Sequence, residues 1–171
     1  STCTVVLQDA IVPIENVLGE VGQGHKIAFN ILNLGRFKLA VATVGSAKRA
    51  IELAVQYALQ RKQFRTPIAY FPLIQEKLAK MCIKTYVAES MIYRIAGMLE
   101  ANLQGIEQAG GAEVAAAIHD LAVECSIAKV FGSEMMDDVV DEGVQIHGGY
   151  GYMREFEIES WYRDARINRI F

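Results

Sequence analysis

The sequence predicts an all-α protein: an antiparallel, up-and-down four-helix bundle, preceded by one short β-strand. Over three long segments, apolar residues recur every three or four positions, which places them on one face of an α-helix. Short turns containing glycine or proline separate these segments and favour antiparallel neighbours. Of the 171 residues, 52% are apolar and 22% are charged, a composition typical of a packed domain. The near-heptad spacing also fits a coiled coil, but the glycine breaks favour an intramolecular bundle.

The strand is predicted at residues 4–13, which are rich in β-branched side chains and end at Pro13. Little else in the sequence has the pattern of a partner strand. We therefore expect this strand to belong to the sheet of a preceding β domain. Residues 1–20 would form the end of that domain and its connection, and residues 21–171 would form the helical bundle domain.

The first helix is predicted over residues 25–61. Its small residues, such as Gly35, would allow a neighbouring helix or a ligand to come close. A loop follows, and Pro72 is suited to the first turn of the second helix because that position needs no backbone N–H donor. The second helix is expected to end near Gly105.

A third helix is predicted as one continuous element over residues 114–146, and a shorter fourth helix over 154–171. Between them, three glycines interrupt the helical pattern within residues 144–152. Glycines packed so closely after a long helix either end the helix or let another molecule touch the backbone. The glycines alone favour helix termination, so the neighbouring residues must decide.

Charge and cysteine content exclude several classes of protein. The net charge is −3 and the Lys and Arg residues are spread along the chain, which argues against a nucleic-acid interface. Cys3, Cys82 and Cys125 are far apart without metal-ligand spacing, and we expect buried thiols in a reducing compartment. No apolar run reaches the roughly 18 to 20 residues of a membrane span, and no signal-peptide pattern is present. A cytosolic or organelle-matrix location follows from this reasoning.

A self-contained active site is not evident. His25, His119 and His147 lie in different segments and have no metal-binding spacing, so no metal site is predicted. The acidic patch at residues 137–142 is expected to be solvated, and no second acidic cluster accompanies it. No nucleophile elbow or phosphate-binding loop appears.

Two polar clusters remain as candidate sites. In the first, Asn33, Gly35 and Arg36 interrupt the apolar pattern of the first helix; the Arg donors suit phosphate or carboxylate, whereas a salt bridge or a packing gap is the structural alternative. The second cluster covers residues 61–65 at a helix end, where cations beside an aromatic ring suit an anionic, aromatic ligand. Cations at a helix C-terminus are also ordinary partners of the helix dipole.

The order and spacing of these motifs resemble the C-terminal helical domain of the acyl-CoA dehydrogenases, flavoenzymes that desaturate acyl thioesters. The resemblance covers essentially the whole chain. Within the family, the chain is most similar to the very-long-chain branch. The segments that carry it lie at residues 12–19, 22–24, 33–36, 61–64, 73–79, 124–134, 145–152 and 162–166.

The resemblance implies a role for each cluster. It implies that FAD, held mainly by a neighbouring subunit, contacts this chain across a dimer interface. The cofactor-binding residues implied are Arg61, Gln63, Phe64, Phe71, Gln145, Gly148 and Gly149. The residues implied to line the acyl-CoA cleft are Asn33, Leu34, Gly35 and Arg36.

The resemblance also implies a reaction that removes the proton next to the thioester carbonyl and passes the β-hydride to the flavin, with a carboxylate base. In most family members this base is a Glu directly after the equivalent of Phe171. A minority branch carries the Glu at the position that matches Gly35, and the glycine found there excludes that variant here. We therefore expect no catalytic residue in this chain and an inactive fragment. Arg65 stands where family members usually have a glycine, and Pro72 stands where many of them have a Gln. We therefore expect the loop between these residues to adopt a different position from that in other family members.

The function implied by the resemblance is that of the C-terminal domain of an FAD-dependent acyl-CoA dehydrogenase, acting on a medium to very long acyl chain in fatty-acid β-oxidation. The implied partners are acyl-CoA, an electron-transfer flavoprotein or another acceptor, and further copies of the chain in a homodimer or homotetramer. The location would be the bacterial cytoplasm or the mitochondrial matrix. Two alternatives remain open: a non-catalytic family member that serves as an interaction or assembly scaffold, and an oxygen-using acyl-CoA oxidase.

Overall fold

The computed structural model describes residues 3–106, 108 and 110–171, and it consists mainly of helices. Three of these helices are long and two are short, and a two-stranded hairpin and short 3-10 segments lie between them. The helices are α1 (Gly24–Gln60), α2 (Pro72–Leu103), α3 (Gly111–His119), α4 (Ala122–His147) and α5 (Ile158–Ala165). The strands are β1 (Lys62–Gln63) and β2 (Thr66–Pro67), and the 3-10 segments are Ile14–Asn16, Ile68–Tyr70, Gly148–Tyr152 and Arg166–Arg169. The prediction of an all-α bundle is confirmed.

The relative directions of the long helices follow from their contacts. Lys77 pairs with Glu142 and Lys84 pairs with Asp138, so α2 and α4 run antiparallel. A Cβ atom at Gly132 of α4 would lie 3.3 Å from the Cα atom of residue 40 in α1, and the C-terminal turns of α1 and α4 also meet. α1 and α4 therefore run in the same direction, and their C-terminal ends lie together.

The core is built from small side chains on α1 and larger ones on α4. Alanine on the buried face of α1 lets the α4 backbone come close, and α4 fills the remaining space with methionine and valine. The buried alanines of α1 are Ala40, Ala47, Ala50, Ala54 and Ala58, and the apolar residues of α4 packed with them include Met135, Met136, Val139 and Val140.

The third predicted helix is in fact two helices, so the prediction of one continuous element was wrong. Leu121 leaves the helical backbone region, with φ −106° and ψ 21°, and its carbonyl accepts the N–H of Cys125 at 3.0 Å. The side chain of Leu121 is only 5% exposed. The bend between α3 and α4 thus places Leu121 in the core, a tertiary effect that periodicity does not reveal.

Residues 4–13 do not form a strand in this structure, contrary to the sequence prediction. Their apolar side chains are exposed, including Val5, Leu7 and Ile11. A strand is held by hydrogen bonds to a neighbouring strand, and the described residues provide none for this segment. The assignment of residues 1–20 to a preceding β domain stays a prediction.

The prediction that all three thiols are buried was wrong for two of them. Cys125 is buried in the core, whereas Cys3 and Cys82 are exposed. Cys82 follows the buried Met81 on α2 but lies off the buried face of that helix. Burial raises the pKa of the Cys125 thiol, which keeps it protonated and unreactive near neutral pH.

α1 is long and apolar enough to cross a membrane by length and composition, so the expectation that the chain has no membrane span is not confirmed. Its most apolar 18-residue window has a mean hydropathy of 1.3, and 22% of that window is buried. A core helix of a bundle meets the same criteria, and Ala40 and Ala47 of α1 are fully within the core. The observation is weak evidence for a membrane span.

Candidate functional site

A groove of about 360 Å³ lies where the C-terminal ends of α1 and α4 meet. Its two sides come from distant parts of the sequence: the end of α1 with the hairpin, and the glycine turn after α4. The lining residues are Tyr57, Arg61, Gln63, Ile68, Ile146, His147, Gly148, Gly149, Tyr150 and Met153. The parallel course of α1 and α4 is what brings the two sides together.

The α1 side of the groove is built by a helix stop and a tight hairpin. Arg61 has extended backbone angles, φ −71° and ψ 125°, while its N–H still bonds the Tyr57 carbonyl at 2.8 Å. The two-residue turn between β1 and β2 holds Phe64 at φ 50° and Arg65 at φ 66°. Positive φ at both central residues is the geometry that matches the twist of a hairpin. Arg65 thus adopts a conformation that a glycine would adopt without strain.

The α4 side of the groove is an exposed backbone turn. Gly148 ends α4 with φ 60° and ψ −139°, and its N–H bonds the Gln145 carbonyl. A Cβ atom at Gly148 or Gly149 would meet nothing within 4 Å, so the backbone faces open space. Gly151 has a different role, because a Cβ atom there would lie 2.8 Å from the Val144 carbonyl oxygen. The turn therefore both stops the helix and leaves backbone accessible to a ligand.

Four aromatic rings pack together beside the groove, and we name Tyr57, His147, Tyr150 and Phe156 the ring cluster; all but Phe156 line the groove. The Tyr57 and His147 rings stack with centroids 4.3 Å apart and planes 26° apart. Phe156 meets the His147 ring at 5.9 Å and the Tyr150 ring at 5.1 Å. The Arg61 guanidinium lies over the Tyr150 ring, 5.8 Å from its centroid. The cluster therefore connects the groove's cation to the glycine turn.

His147 is the titratable member of the ring cluster and is 5% exposed. Its Nδ1 atom lies 2.8 Å from the Gly143 carbonyl oxygen, which can only accept, so Nδ1 carries the proton. Burial lowers the pKa of His147, although the bond to Gly143 acts in the opposite direction. Burial likewise raises the pKa of Tyr57. Both rings are therefore neutral near pH 7, and Arg61 is the cation that lines the groove.

The structure brings together four of the seven sequence-predicted cofactor residues: Arg61, Gln63, Gly148 and Gly149 line the groove. The other three are not among the lining residues. Phe64 is 90% exposed and packs edge-on against Phe71, with centroids 6.4 Å apart. Gln145 is exposed on α4, one turn before the glycines.

The predicted substrate residues form a separate cluster on α1. Arg36 Nη1 donates to Asn33 Oδ1 at 2.7 Å, and Asn33 is 4% exposed. Leu34 is half-buried, while Gly35 is exposed, with nothing within 4 Å of an added Cβ atom. The contact between Arg36 and Asn33 is a hydrogen bond to a neutral amide, and thus not the salt bridge expected as a structural alternative to a ligand. Gly35 leaves an open surface beside it.

The remaining sequence candidates have structural roles or are exposed. Three carboxylates of the acidic patch are paired rather than simply solvated: Asp137 with Arg169, Asp138 with Lys84 and Glu142 with Lys77. His25 and His119 are exposed. Within the described part of the chain, no three His, Cys, Asp or Glu side chains are grouped so that they could hold a metal ion.

Sequence reasoning missed the ring cluster as part of the site. Tyr57 lies one helical turn before Arg61, and His147 and Tyr150 lie inside the glycine stretch, so their positions in the sequence were already suggestive. Tyr57 was given no role, His147 was considered only as a possible metal ligand, and Tyr150 was noted only as part of the glycine stretch. The stack became visible only when α1 and α4 were placed side by side.

Comparison with known proteins assigns the chain to a family. The family model described as the C-terminal domain of acyl-CoA dehydrogenase matches residues 22–171. The chain belongs to the acyl-CoA dehydrogenase family. The resemblance predicted from the sequence is thereby confirmed, and the groove and the Asn33–Arg36 cluster are features of an acyl-CoA dehydrogenase domain.

Relatives of this acyl-CoA dehydrogenase domain are longer proteins. The whole chain is 56% identical to a probable acyl-CoA dehydrogenase of Bacillus subtilis (strain 168), and covers 29% of it. It is 46% identical to the mitochondrial very long-chain specific acyl-CoA dehydrogenase of Homo sapiens, covering all of the chain and 24% of that relative. A crystal structure of acyl-CoA dehydrogenase complexed with FAD from Bacillus anthracis matches 97% of the chain with a TM-score of 0.95 and 63% identity; the chain covers 29% of it.

Proposed function

We propose that this chain is the part of an FAD-dependent acyl-CoA dehydrogenase that contributes to a flavin site and an acyl-CoA cleft. The observation that carries the proposal is the groove in which Arg61 and Gln63 meet the turn at Gly148 and Gly149. Arg61 and Gly148 are 87 positions apart in sequence (148 − 61), so the groove exists only because α1 and α4 pack side by side. The relative from Bacillus anthracis is described as a complex with FAD, which supports the same cofactor here.

The chemistry of the groove fits a phosphate-bearing, aromatic cofactor. Arg61 supplies a permanent positive charge and planar N–H donors, which suit a pyrophosphate. Gly148 and Gly149 carry no side chain, so a ligand can contact their backbone directly. Exposed Phe64 offers a ring face at the adjoining hairpin. FAD has both a pyrophosphate and an adenine ring, so the residues present fit this group.

When bound, FAD supplies the acceptor for a hydride from the β-carbon of the acyl thioester. The contribution of this chain is to bind and orient: Arg61 and Gln63 hold polar groups of the cofactor, and the glycine turn allows close approach. Phe64, Phe71 and Gln145 extend the contact surface beyond the groove. Since FAD is expected to be held mainly by a neighbouring subunit, this groove completes a site between two copies of the protein.

The acyl-CoA cleft is proposed at the Asn33, Leu34, Gly35 and Arg36 cluster. The buried Asn33 amide holds the Arg36 guanidinium by the hydrogen bond at 2.7 Å, which fixes a cation beside the open surface at Gly35. We propose that the carboxylate base that removes the α-proton follows directly after Phe171. A carboxylate at that position would accept the α-proton while the β-hydride passes to the flavin, and the two carbons would be left joined by a C=C bond.

The electron acceptor and the assembly are also part of the proposal. An electron-transfer flavoprotein structure of Acidaminococcus fermentans matches 97% of the chain at 32% identity and a TM-score of 0.83, which supports this class of acceptor. Exposed apolar side chains on α1 and α2, such as Phe29, Ile83 and Tyr86, are suited to packing against further domains or copies. We propose a homodimer or homotetramer in a bacterial cytoplasm or a mitochondrial matrix.

The test is anaerobic mixing of the full-length protein with medium, long and very long acyl-CoA thioesters while flavin absorbance is followed. Bleaching of the flavin is expected, and the fastest thioester identifies the preferred chain length. A flavin that stays oxidised with every thioester would contradict the proposal and favour a scaffold. Rapid reoxidation by oxygen would instead identify an oxidase, and sedimentation as a strict monomer would contradict the proposed shared site.

A further inference from the structure

His147 has contacts that the proposed function does not use. It is the last residue of α4 and directly precedes Gly148, so its backbone begins the glycine turn. Its ring is buried and makes two kinds of contact: a hydrogen bond to the Gly143 carbonyl and a stack on Tyr57. Because the ring contacts both α4 and α1 at the edge of the groove, it limits the positions that the glycine turn can adopt.

We propose that His147 is a positioning residue for the flavin groove: it connects the glycine turn after α4 to the α1 end that carries Arg61. This inference rests on the proposed function of the groove. His147 is not assigned a contact with the reacting atoms. It acts through Gly148 on one side and through Tyr57 on the other.

The first connection runs within α4. The Nδ1–H of His147 donates to the Gly143 carbonyl one turn earlier, which limits rotation of the ring. Gly143 itself is confined, because a Cβ atom there would lie 2.8 Å from the Ile158 side chain on α5. The hydrogen bond therefore ties the imidazole to a stretch of α4 backbone that packs closely against α5. A fixed His147 ring in turn restricts the backbone of His147, and therefore the position of Gly148, the next residue.

The second connection runs to α1. The His147 ring stacks on Tyr57, and the Tyr57 carbonyl accepts the N–H of Arg61, the residue that ends the helix. The Arg61 guanidinium returns over Tyr150, within the turn that His147 begins. These contacts form a closed circuit around the groove. A change in the ring of His147 is expected to move Arg61 and the glycine turn relative to each other.

Two substitutions separate the contacts of His147. His147→Phe keeps a planar ring for the stack on Tyr57 but removes the hydrogen-bond donor. His147→Asn keeps a donor near the Nδ1 position but removes the ring. The matched controls are His119→Phe and His119→Asn, because His119 is an exposed histidine in the last turn of α3. All four variants are made in the full-length protein.

The dissociation constant for FAD is measured by flavin fluorescence on the apoprotein, beside the melting temperature of the same apoprotein and the activity with excess FAD. We expect the dissociation constant to rise roughly tenfold in His147→Asn, which loses the stack on Tyr57. In His147→Phe, which loses one hydrogen bond, we expect it to rise a few-fold. Excess FAD should restore activity to near the wild-type level. The His119 variants should match the wild type in all three measurements.

The outcomes are distinguishable. A wild-type dissociation constant in every His147 variant that folds would overturn the inference, even if the melting temperature fell, because His147 would then have a structural role alone. A loss of activity that excess FAD does not restore would also overturn it. If His147→Asn fails to fold, His147→Phe decides. If the wild-type protein does not bind FAD, the proposed function itself fails.

Discussion

Single residues around the groove are set by backbone conformation as much as by side-chain chemistry. Gly148 at φ 60° and Arg65 at φ 66° both occupy the left-handed region. At Gly148 the sequence supplies the residue suited to this region; at Arg65 it supplies a residue with a Cβ atom, which is strained there. The departure noted in the sequence therefore has a physical consequence: the hairpin keeps its tight turn and bears the strain.

Arg65→Gly is expected to stabilise the chain by about 0.5 to 1 kcal/mol, since relief of the left-handed strain exceeds the added chain entropy of glycine. Arg65 is exposed, so little packing is lost. The free energy of unfolding in urea measures the effect. Lys62→Gly is the control: Lys62 is a β1 residue without a positive φ, and this change should lower stability. A loss of stability in Arg65→Gly would show that the turn is not strained.

At the scale of helices, the packing of α1 on α4 depends on one close approach. A Cβ atom at Gly132 would lie 2.7 Å from Thr43 Oγ1 and 3.3 Å from the Cα atom of Ala40. Thr43 is itself held by a hydrogen bond from its hydroxyl to the Ala40 carbonyl at 2.8 Å. The backbone and this fixed hydroxyl cannot yield easily. Gly132 is thus a packing residue that sets the distance between the two helices.

Gly132→Ala is expected to destabilise the bundle by about 1 to 3 kcal/mol, as overpacking of a core contact does. The matched control is Gly97→Ala on the exposed face of α2, where a Cβ atom meets nothing within 4 Å. That change should stabilise by about 0.5 to 1 kcal/mol, because alanine favours a helix over glycine. Both are measured by denaturant unfolding. Equal effects of the two substitutions would contradict the close approach at Gly132.

The sequence predicted the elements better than their junctions. Helical periodicity identified α1 and α2 to within a residue or two, because their apolar faces are long and regular. Periodicity missed the bend at Leu121, because that bend depends on the burial of Leu121 in the core. The strand assigned to residues 4–13 rested on β-branched composition, which does not show whether a partner strand is present. In the site, the motifs pointed to Arg61 and Gly148, whereas Tyr57 and His147 required the packing of two helices to become visible.

At the scale of the whole molecule, an ion pair between residues 108 positions apart in sequence ties the C-terminal segment to α1. Arg49 Nη2 lies 2.7 Å from Glu157 Oε2, and Trp161 Nε1 donates to Glu157 Oε1 at 2.9 Å. The hydrogen bond from Arg49 is the main cause that lowers the pKa of Glu157 to about 2. The pair joins α1 to the residue before α5, next to the ring cluster. Its charge state therefore affects how the segment after the glycine turn is held.

Acidification is expected to weaken this connection in a defined pH window. The pKa of Glu157 is about 2 in the folded chain against 4.5 without its partners, so the contribution is fully present above pH 4.5 and is lost as the pH falls towards 2. The pair is partly solvated, so added salt should reduce the effect. Melting temperatures across this window measure it, with Glu157→Gln as the comparison. The variant should show a smaller dependence on pH; an unchanged dependence would mean that other carboxylates account for acid destabilisation.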